Sequence, residues 1–347
     1  VRFAPSPTGS LHLGNALTAV ANRGFADGHS GFLVLRIDDT DPTRTVEGGE
    51  AAMLDDLAWL DIRFDEGPVR QSERGSLYAE AAGRALDAGA AERDSDGAVR
   101  LIADGTTLLR PDGTATYQLA SVVDDLELRI THVIRGSDHR PNLELHRRIA
   151  RAVGGELPKV IHHGLVLGPD GKKLSKRHGH ASIAELRDEG FPPEAVRAYL
   201  DELGLPEHDV HLDLARLRRL ATDAIAAMPD EELAAAAGAP VDAVPVLRGA
   251  RSLVEAREYA RLVLEPAPVG LRADARPTLD RFAELRGAAG ERLSADESRA
   301  LLRELKAIGG DLRALRLALT GVPTGPELWA VLAAVPKDEA LARANRA

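Results

Sequence analysis

The chain has 347 residues, 44% of them apolar and only 3% aromatic, with no cysteine and a formal net charge of −10. That length supports two or three domains with cores of their own, while the missing cysteines exclude disulfides, thiolate catalysis and cysteine-ligated zinc and fit a reducing, cytoplasmic setting. The acidity argues against indiscriminate nucleic-acid binding but not against a local basic groove; no apolar run approaches the roughly 18 residues of a membrane span, and no secretory leader is recognisable at the start.

Residues 2–15 (RFAPSPTGSLHLGN) open the chain. Val1, Phe3 and Ala4 suit the end of a buried strand, Pro5 and Pro7 stiffen the loop that follows, and Gly9 and Gly14 let a ligand approach the backbone. His12-Leu13-Gly14-Asn15 leads into a helical pattern from Ala16, whose N-terminal amides and dipole favour a phosphate. Alone, such a stretch is equally well a plain Pro/Gly connection between strand and helix.

Residues 31–39 (GFLVLRIDD) form an apolar run ending in acids, as expected of a buried parallel strand with polar groups at its carboxyl end, where open α/β sheets bind ligands. Helical spacing follows over 46–60 (Met53, Leu54, Leu57, Leu60) and 73–88 (Leu77, Ala81, Ala85, Leu86). Residues 89–104 are polar and poorly patterned, and Pro111-Asp112-Gly113 predicts a turn between short strands over 107–110 and 114–119. Strands are predicted over 131–135 and 160–167, with a helix over 143–153 between them. Beyond about residue 205 no strand pattern persists, and the Ala/Leu/Arg/Glu-rich remainder, broken by Pro229, Pro240, Pro266 and Pro323, reads as a bundle of short helices.

Residues 168–177 (GPDGKKLSKR) make a glycine turn opening into four cations, Lys172, Lys173, Lys176 and Arg177. They are not a P-loop, since Lys173 rather than Ser or Thr follows the Gly171-Lys172 pair. Two lysines flanking Ser175 suit closure over a triphosphate, because lysine is a mobile point charge able to follow charge onto departing pyrophosphate. By itself the segment could also be a solvated basic turn.

Together, HLGN and KLSKR resemble the paired HIGH and KMSKS signatures of class I aminoacyl-tRNA synthetases. RFAPSPTGSLHLGNA, LRIDDTDPTR, RQSER, GTATYQLASVVDD, THVIRGSDH and LGPDGKKLSKRHG, in that order, resemble the bacterial glutamyl-tRNA synthetase family in a compact form. The likeness runs over 1–205 and returns from about 315 (LRLALTGVPTGPELWAVLAAV). It implies an α/β fold, a Rossmann-like doubly wound parallel sheet over 1–205 with a shortened insertion at about 89–110, followed by an all-α helical bundle over 206–347 that binds tRNA.

The implied activity is ATP-dependent attachment of L-glutamate to tRNA(Glu) through a glutamyl-adenylate. The resemblance puts His12, Gly14 and Asn15 against ATP together with Lys173, Ser175 and Lys176, with His12, Lys173 and Lys176 carrying the catalysis. Mg²⁺ would accompany the phosphates and keep most of its waters; zinc is not expected. Around the amino acid it places Arg2 and Arg135, whose forks pair a carboxylate bidentately, with Ser6, Asp38 and Tyr117. Departures from the family pattern are Asp38 where Glu is usual, Ser137 where an acid is usual, and the trimmed insertion. The implied alternatives are a paralogue that glutamylates the queuosine base of tRNA, an adenylate-forming ligase with a non-tRNA acceptor, and a non-catalytic RNA-binding relative. In the helical half, Arg216, Arg218, Arg219, Arg299, Arg303, Lys306, Arg313 and Arg316 are candidates for RNA contact, with Glu297, Glu304 and Asp311 as competing partners.

Overall fold

Short apolar strands alternate with amphipathic helices through the first part of the chain: β1 (Arg2–Phe3), α1 (Leu13–Gly28), β2 (Val34–Ile37), α2 (Gly49–Trp59), β3 (Glu66–Arg70), α3 (Gly75–Asp87), β4 (Ala91–Arg93), β5 (Val99–Leu101), β6 (Thr107–Leu109), α4 (Tyr117–Glu127), β7 (His132–Gly136), α5 (Leu143–Ala152), β8 (Lys159–His163) and β9 (Val166–Leu167). The structure is a computed structural model and describes residues 1–41, 43, 45–172, 174, 181–271 and 273–346. It divides into two compact units, Val1–Leu186 with Arg197–Asp213, and Arg187–Val196 with Leu214–Ala347.

In the first unit β1, β2 and β3 pair in parallel, as do β7 and β8, and β1 lies beside β7. The two hydrogen-bonded sheets, β3-β2-β1 and β7-β8, thus lie with β1 next to β7, the side-by-side order of a doubly wound arrangement whose winding direction reverses between β1 and β7. β2 is buried along its whole length, including Arg36, as a central parallel strand must be. Each helix turns one face inward. α1 buries Leu13, Ala16, Leu17 and Val20, and α5 buries His146, Ile149 and Ala150 while Arg147 and Arg151 face solvent. One core cluster joins Tyr78, Ala81, Val99, Leu119, Val122 and Ile149.

Four sequence expectations need correction here. The turn at 111–113 forms, with the Arg110 amide donating to the Thr114 carbonyl at 2.8 Å. The strand expected over 114–119, however, is reduced to one bridge between Leu109 and Ala115. The Thr116 hydroxyl caps the Leu119 amide and starts α4 at Tyr117 instead, a local side-chain bond outweighing strand propensity. Residues 89–104 are not irregular, since β4, β5 and β6 form an antiparallel sheet whose residues Ala91, Val99 and Leu101 enter the core. The run 160–167 is cut into β8 and β9 at Gly164, whose amide donates to the Pro206 carbonyl at 2.7 Å and where a Cβ would stand 1.9 Å from the His208 carbonyl oxygen. Past residue 205 one short strand, β10 (Val210–His211), pairs with β9.

The remaining helices are α6 (Ile183–Asp188), α7 (Pro193–Leu203), α8 (Leu214–Ala227), α9 (Asp230–Ala237), α10 (Val244–Leu247), α11 (Leu253–Leu264), α12 (Arg276–Ala288), α13 (Ala295–Ala307), α14 (Leu312–Thr320), α15 (Leu328–Ala334) and α16 (Lys337–Arg346). In the second unit they pack around Phe282, Leu305, Leu315, Leu319, Val331 and Leu332. Ser252, Ser294 and Asp311 cap helix starts, and Gly238 and Gly321 end helices in the left-handed region. Two acids expected to compete for arginines therefore act on backbone: Glu297 completes a capping box with Ser294, and Asp311 caps α14. Arg316 is half-buried and donates to the Pro326 carbonyl, Arg299 lies 4.2 Å over the Trp329 ring, and Arg313, Arg303 and Lys306 are exposed. Among the described residues no helix is long and apolar enough to cross a membrane.

Candidate active site

At the reversal between β1 and β7 lies a cavity of about 670 Å³, lined by the loop after β1, the start of α1, the start of α4 and the segment after β7. Arg2, Ser6, His12, Gly14, Asn15, Asp38, Tyr117 and Arg135, expected from sequence to surround ATP and an amino acid, all line it. Lys173, Ser175 and Lys176 lie outside the described residues. Their neighbour Leu174 is buried, lines the cavity, and returns its amide to the Val166 carbonyl at 3.0 Å.

The Pro/Gly loop is anchored from beneath. One Asp56 carboxylate oxygen on α2 accepts from the Ser10 hydroxyl at 2.7 Å and from the Leu11 amide at 2.8 Å. Gly49, at the start of α2, has no room for a side chain, because a Cβ would stand 2.5 Å from the Pro7 carbonyl oxygen. The loop is also tied to the chain just beyond the basic segment. The Leu13 amide donates to the Ala181 carbonyl and the Ile183 amide to the Leu11 carbonyl, both at 2.9 Å. The HLGN stretch thus pairs, through backbone across His12 and Ser182, with a segment some 170 residues further along the chain. His12 precedes α1 in extended conformation, and its buried Nδ1 has no hydrogen-bond partner among the described residues. A Cβ at Gly14 would meet nothing within 4 Å, so the backbone there is open to a ligand.

Beneath the opposite end lies a charge network that sequence reasoning did not assign. Arg36 is fully buried; its Nε and Nη2 clasp Asp38 at 2.6 and 3.1 Å, and its Nη1 donates to Asp125 at 2.9 Å. Asp125 also accepts from Arg2 Nε at 3.1 Å. Asp124 accepts from Arg74 at 2.8 Å, from Gln71 at 2.8 Å and from the Tyr78 hydroxyl at 3.0 Å. Three arginines (Arg2, Arg36, Arg74) thus balance three aspartates (Asp38, Asp124, Asp125). Burial pushes the Asp38 carboxyl up while Arg36 opposes it; burial also opposes ionisation of Asp125, but Arg2 and Arg36 hold it below the usual carboxylate range. The network's members sit in motifs already noticed, RIDD and VVDD, yet only the fold reveals that those motifs pair.

Arg135 is the cation outside this balance. It is 6% exposed, its Nε donates to His162 Nε2 at 3.3 Å, and its buried Nη2 has no partner among the described residues. Burial, reinforced by Arg2, lowers its affinity for the proton. Because the Arg135 N–H donates, His162 Nε2 must be the unprotonated nitrogen, and burial with Arg135 beside it pushes that imidazole down to about 4. A desolvated guanidinium edge facing a cavity is a receptor for a carboxylate. Among the described residues no three His, Asp or Glu side chains converge as metal ligands would.

The family described as tRNA synthetases class I (E and Q), catalytic domain, matches residues 1–101 and 96–217. Glutamate--tRNA ligase 1 of Rubrobacter xylanophilus is 38% identical, the alignment covering 100% of this chain and 97% of that protein. Glutamate--tRNA ligase 1 of Acidiphilium cryptum is 34% identical, with 96% of each chain covered. The first alignment runs over 422 positions against 347 residues here, so the relative carries segments without a counterpart in this chain. The crystal structure of a glutamate tRNA ligase from Elizabethkingia meningosepticum in complex with its amino acid has the same fold, with a TM-score of 0.79 at 22% identity, covering 99% of this chain and 98% of that one.

Proposed function

The chain belongs to the class I tRNA synthetases of the glutamate and glutamine group, and from that premise we propose that it attaches L-glutamate to tRNA(Glu) with ATP, through a glutamyl-adenylate. The observation that carries the amino-acid assignment is Arg135, buried, facing the cavity, with a terminal amine that no described protein group satisfies. Leaving such a donor unpaired is costly, so a ligand carboxylate is favoured over an uncharged amide.

The α-carboxylate of glutamate, already ionised at neutral pH, attacks the α-phosphorus of ATP and pyrophosphate leaves; a tRNA ribose hydroxyl then attacks the mixed anhydride and AMP leaves. No protein nucleophile is required, and the chain's residues position reactants and balance charge. Arg2 and Arg135 hold the side-chain carboxylate, with Ser6 and Tyr117 beside it. Asp38 receives the α-ammonium on the lone pairs that Arg36 leaves open, its shorter arm being held in place by that clasp. His12, Gly14 and Asn15 receive ATP, and Lys173, Ser175 and Lys176 close over the phosphates. Mg²⁺ would come with the ATP phosphates rather than in a protein cage. Residues 1–205 form the catalytic domain, residues 206–347 hold the tRNA, and the reaction belongs to the cytoplasm.

The test is purified protein with ATP, labelled glutamate and total tRNA, followed by nuclease digestion that separates the 3′-terminal adenosine from internal nucleosides. Label on the terminal adenosine supports this reading. Label on an internal nucleoside identifies the base-modifying paralogue, and a glutamate-dependent release of pyrophosphate that leaves tRNA unlabelled identifies a ligase with another acceptor.

A further inference from the structure

Gln118 and His146 have no part in the roles assigned so far, yet they meet at the wall of the cavity. Gln118 is the second residue of α4, next to Tyr117, and lines the cavity. Its Oε1 stands 2.6 Å from Nε2 of His146, which is 3% exposed on α5. A carbonyl oxygen only accepts, so Nε2 carries the hydrogen and donates it. Burial, with Arg135 and Arg2 adding their charge, pushes His146 down to about 4, so the imidazole is neutral at physiological pH. Asp125 opposes the shift, and the Tyr117 ring lies 6.4 Å from the imidazole, so the pair sits at the end of the cavity that holds Tyr117 and these charges. With Oε1 committed to His146, the part of the Gln118 amide left for the cavity is its NH2 group, which meets no protein acceptor among the described residues.

We propose that Gln118 is a further substrate-binding residue, its amide NH2 donating to the side-chain carboxylate of the bound amino acid beside Arg135, and that His146 is the positioning residue that fixes which way this amide faces. The inference rests on the glutamate reading above. An Ala at 118 forfeits a hydrogen bond to a charged acceptor, a Glu sets carboxylate against carboxylate, and a Phe at 146 keeps an aromatic in the buried slot but lets the amide turn its oxygen toward the ligand.

Glutamate binding to the full chain is measured by titration calorimetry for wild type, Gln118→Ala, Gln118→Glu, His146→Phe, His146→Gln and the Gln118→Ala/His146→Phe pair. Thermal unfolding and the KM for ATP are followed in parallel. Gln118→Ala is expected to weaken glutamate roughly 10- to 100-fold, Gln118→Glu more than that, and neither to change the KM for ATP. His146→Phe is expected to weaken binding to a similar degree, the pair no further than either alone, and His146→Gln, which keeps a donor, to recover most of the affinity. Losses that multiply in the pair mean that His146 acts only by packing, and overturn its positioning role. Should His146→Phe fail to fold, His146→Gln and the two Gln118 variants decide the matter. Wild-type affinity in Gln118→Ala overturns the inference while leaving glutamate charging intact; absence of glutamate binding by the wild type overturns the charging reading itself.

Discussion

Replacing Arg36 by Met tests the network under the cavity most severely. The guanidinium is fully buried and serves Asp38 twice, Asp125 once and Ser121 twice, at 2.6 to 3.3 Å. Met fills much of its volume but leaves three buried aspartates facing only Arg2 and Arg74. Removing one partner of a buried ion pair costs about 3–5 kcal/mol, because the remaining charge is stranded. The stranded carboxyl responds by holding its proton to higher pH. With its folded value raised above the unfolded one, stability is retained below the unfolded value and falls as pH rises through the folded one, so the loss is larger at about pH 8 than at about pH 5. The chain has two tryptophans, Trp59 in the first unit and Trp329 in the second. In a Trp329→Phe background, urea unfolding followed by Trp59 fluorescence therefore reports on the unit that contains Arg36. Adding Asp38→Asn removes the excess charge and should restore most of the stability without restoring glutamate binding. A loss under about 1 kcal/mol, or one of equal size at both pH values, would refute the reasoning.

Arg135→Leu should lower kcat/KM for glutamate by on the order of 10²-fold or more and erase the preference for glutamate over glutamine; an unchanged preference in charging assays places the specificity elsewhere. Lys176→Ala should reduce kcat by on the order of 10²–10³, or about 2.7–4 kcal/mol, with little effect on the KM for glutamate, because its charge matters most as pyrophosphate leaves. A change confined to the KM for glutamate would contradict that role. Burial pushes the His146 imidazole down to about 4, against about 6.5 in the unfolded chain, so the unfolded chain binds more protons between those values and stability rises with pH across that window. His146→Phe should flatten the rise by up to about 1.4 kcal/mol per pH unit, and an unaltered slope argues against a buried neutral imidazole. On the helical unit, Arg313→Glu should weaken tRNA binding and flatten its salt dependence, whereas Arg316→Glu should chiefly destabilise the unit, since Arg316 is half-buried against the Pro326 carbonyl; a stable Arg313→Glu protein with unchanged salt response takes that residue off the RNA surface.

Local pattern was enough to place β1, β2, β7 and the helices α1, α2, α3 and α5, because each depends on apolar periodicity and on neighbouring Pro, Gly and acidic residues. It failed where a contact distant in sequence decides. Residues 89–104 carry too few apolar positions to signal strands, and they become a sheet because Ala91, Val99 and Leu101 find a core supplied by other elements. The break at Gly164 depends on backbone arriving from residues 206–209, which no window around 160–167 contains.

Motif wording alone determined the family, the class of reaction and which side chains to look for, because the order of RFAPSPTGSLHLGN, RIDD, TYQLASVVDD and GKKLSKR is legible residue by residue. Only tertiary structure decided that Arg2 and Arg36 share Asp125, that Nη2 of Arg135 is buried with no hydrogen-bond partner among the described residues, that Gln118 meets His146, and that residues 11–13 pair with 181–183. Charge pairing and burial depend on distance in space, and that distance is set by the crossing of strands and helices, which the spacing of residues along the chain does not encode.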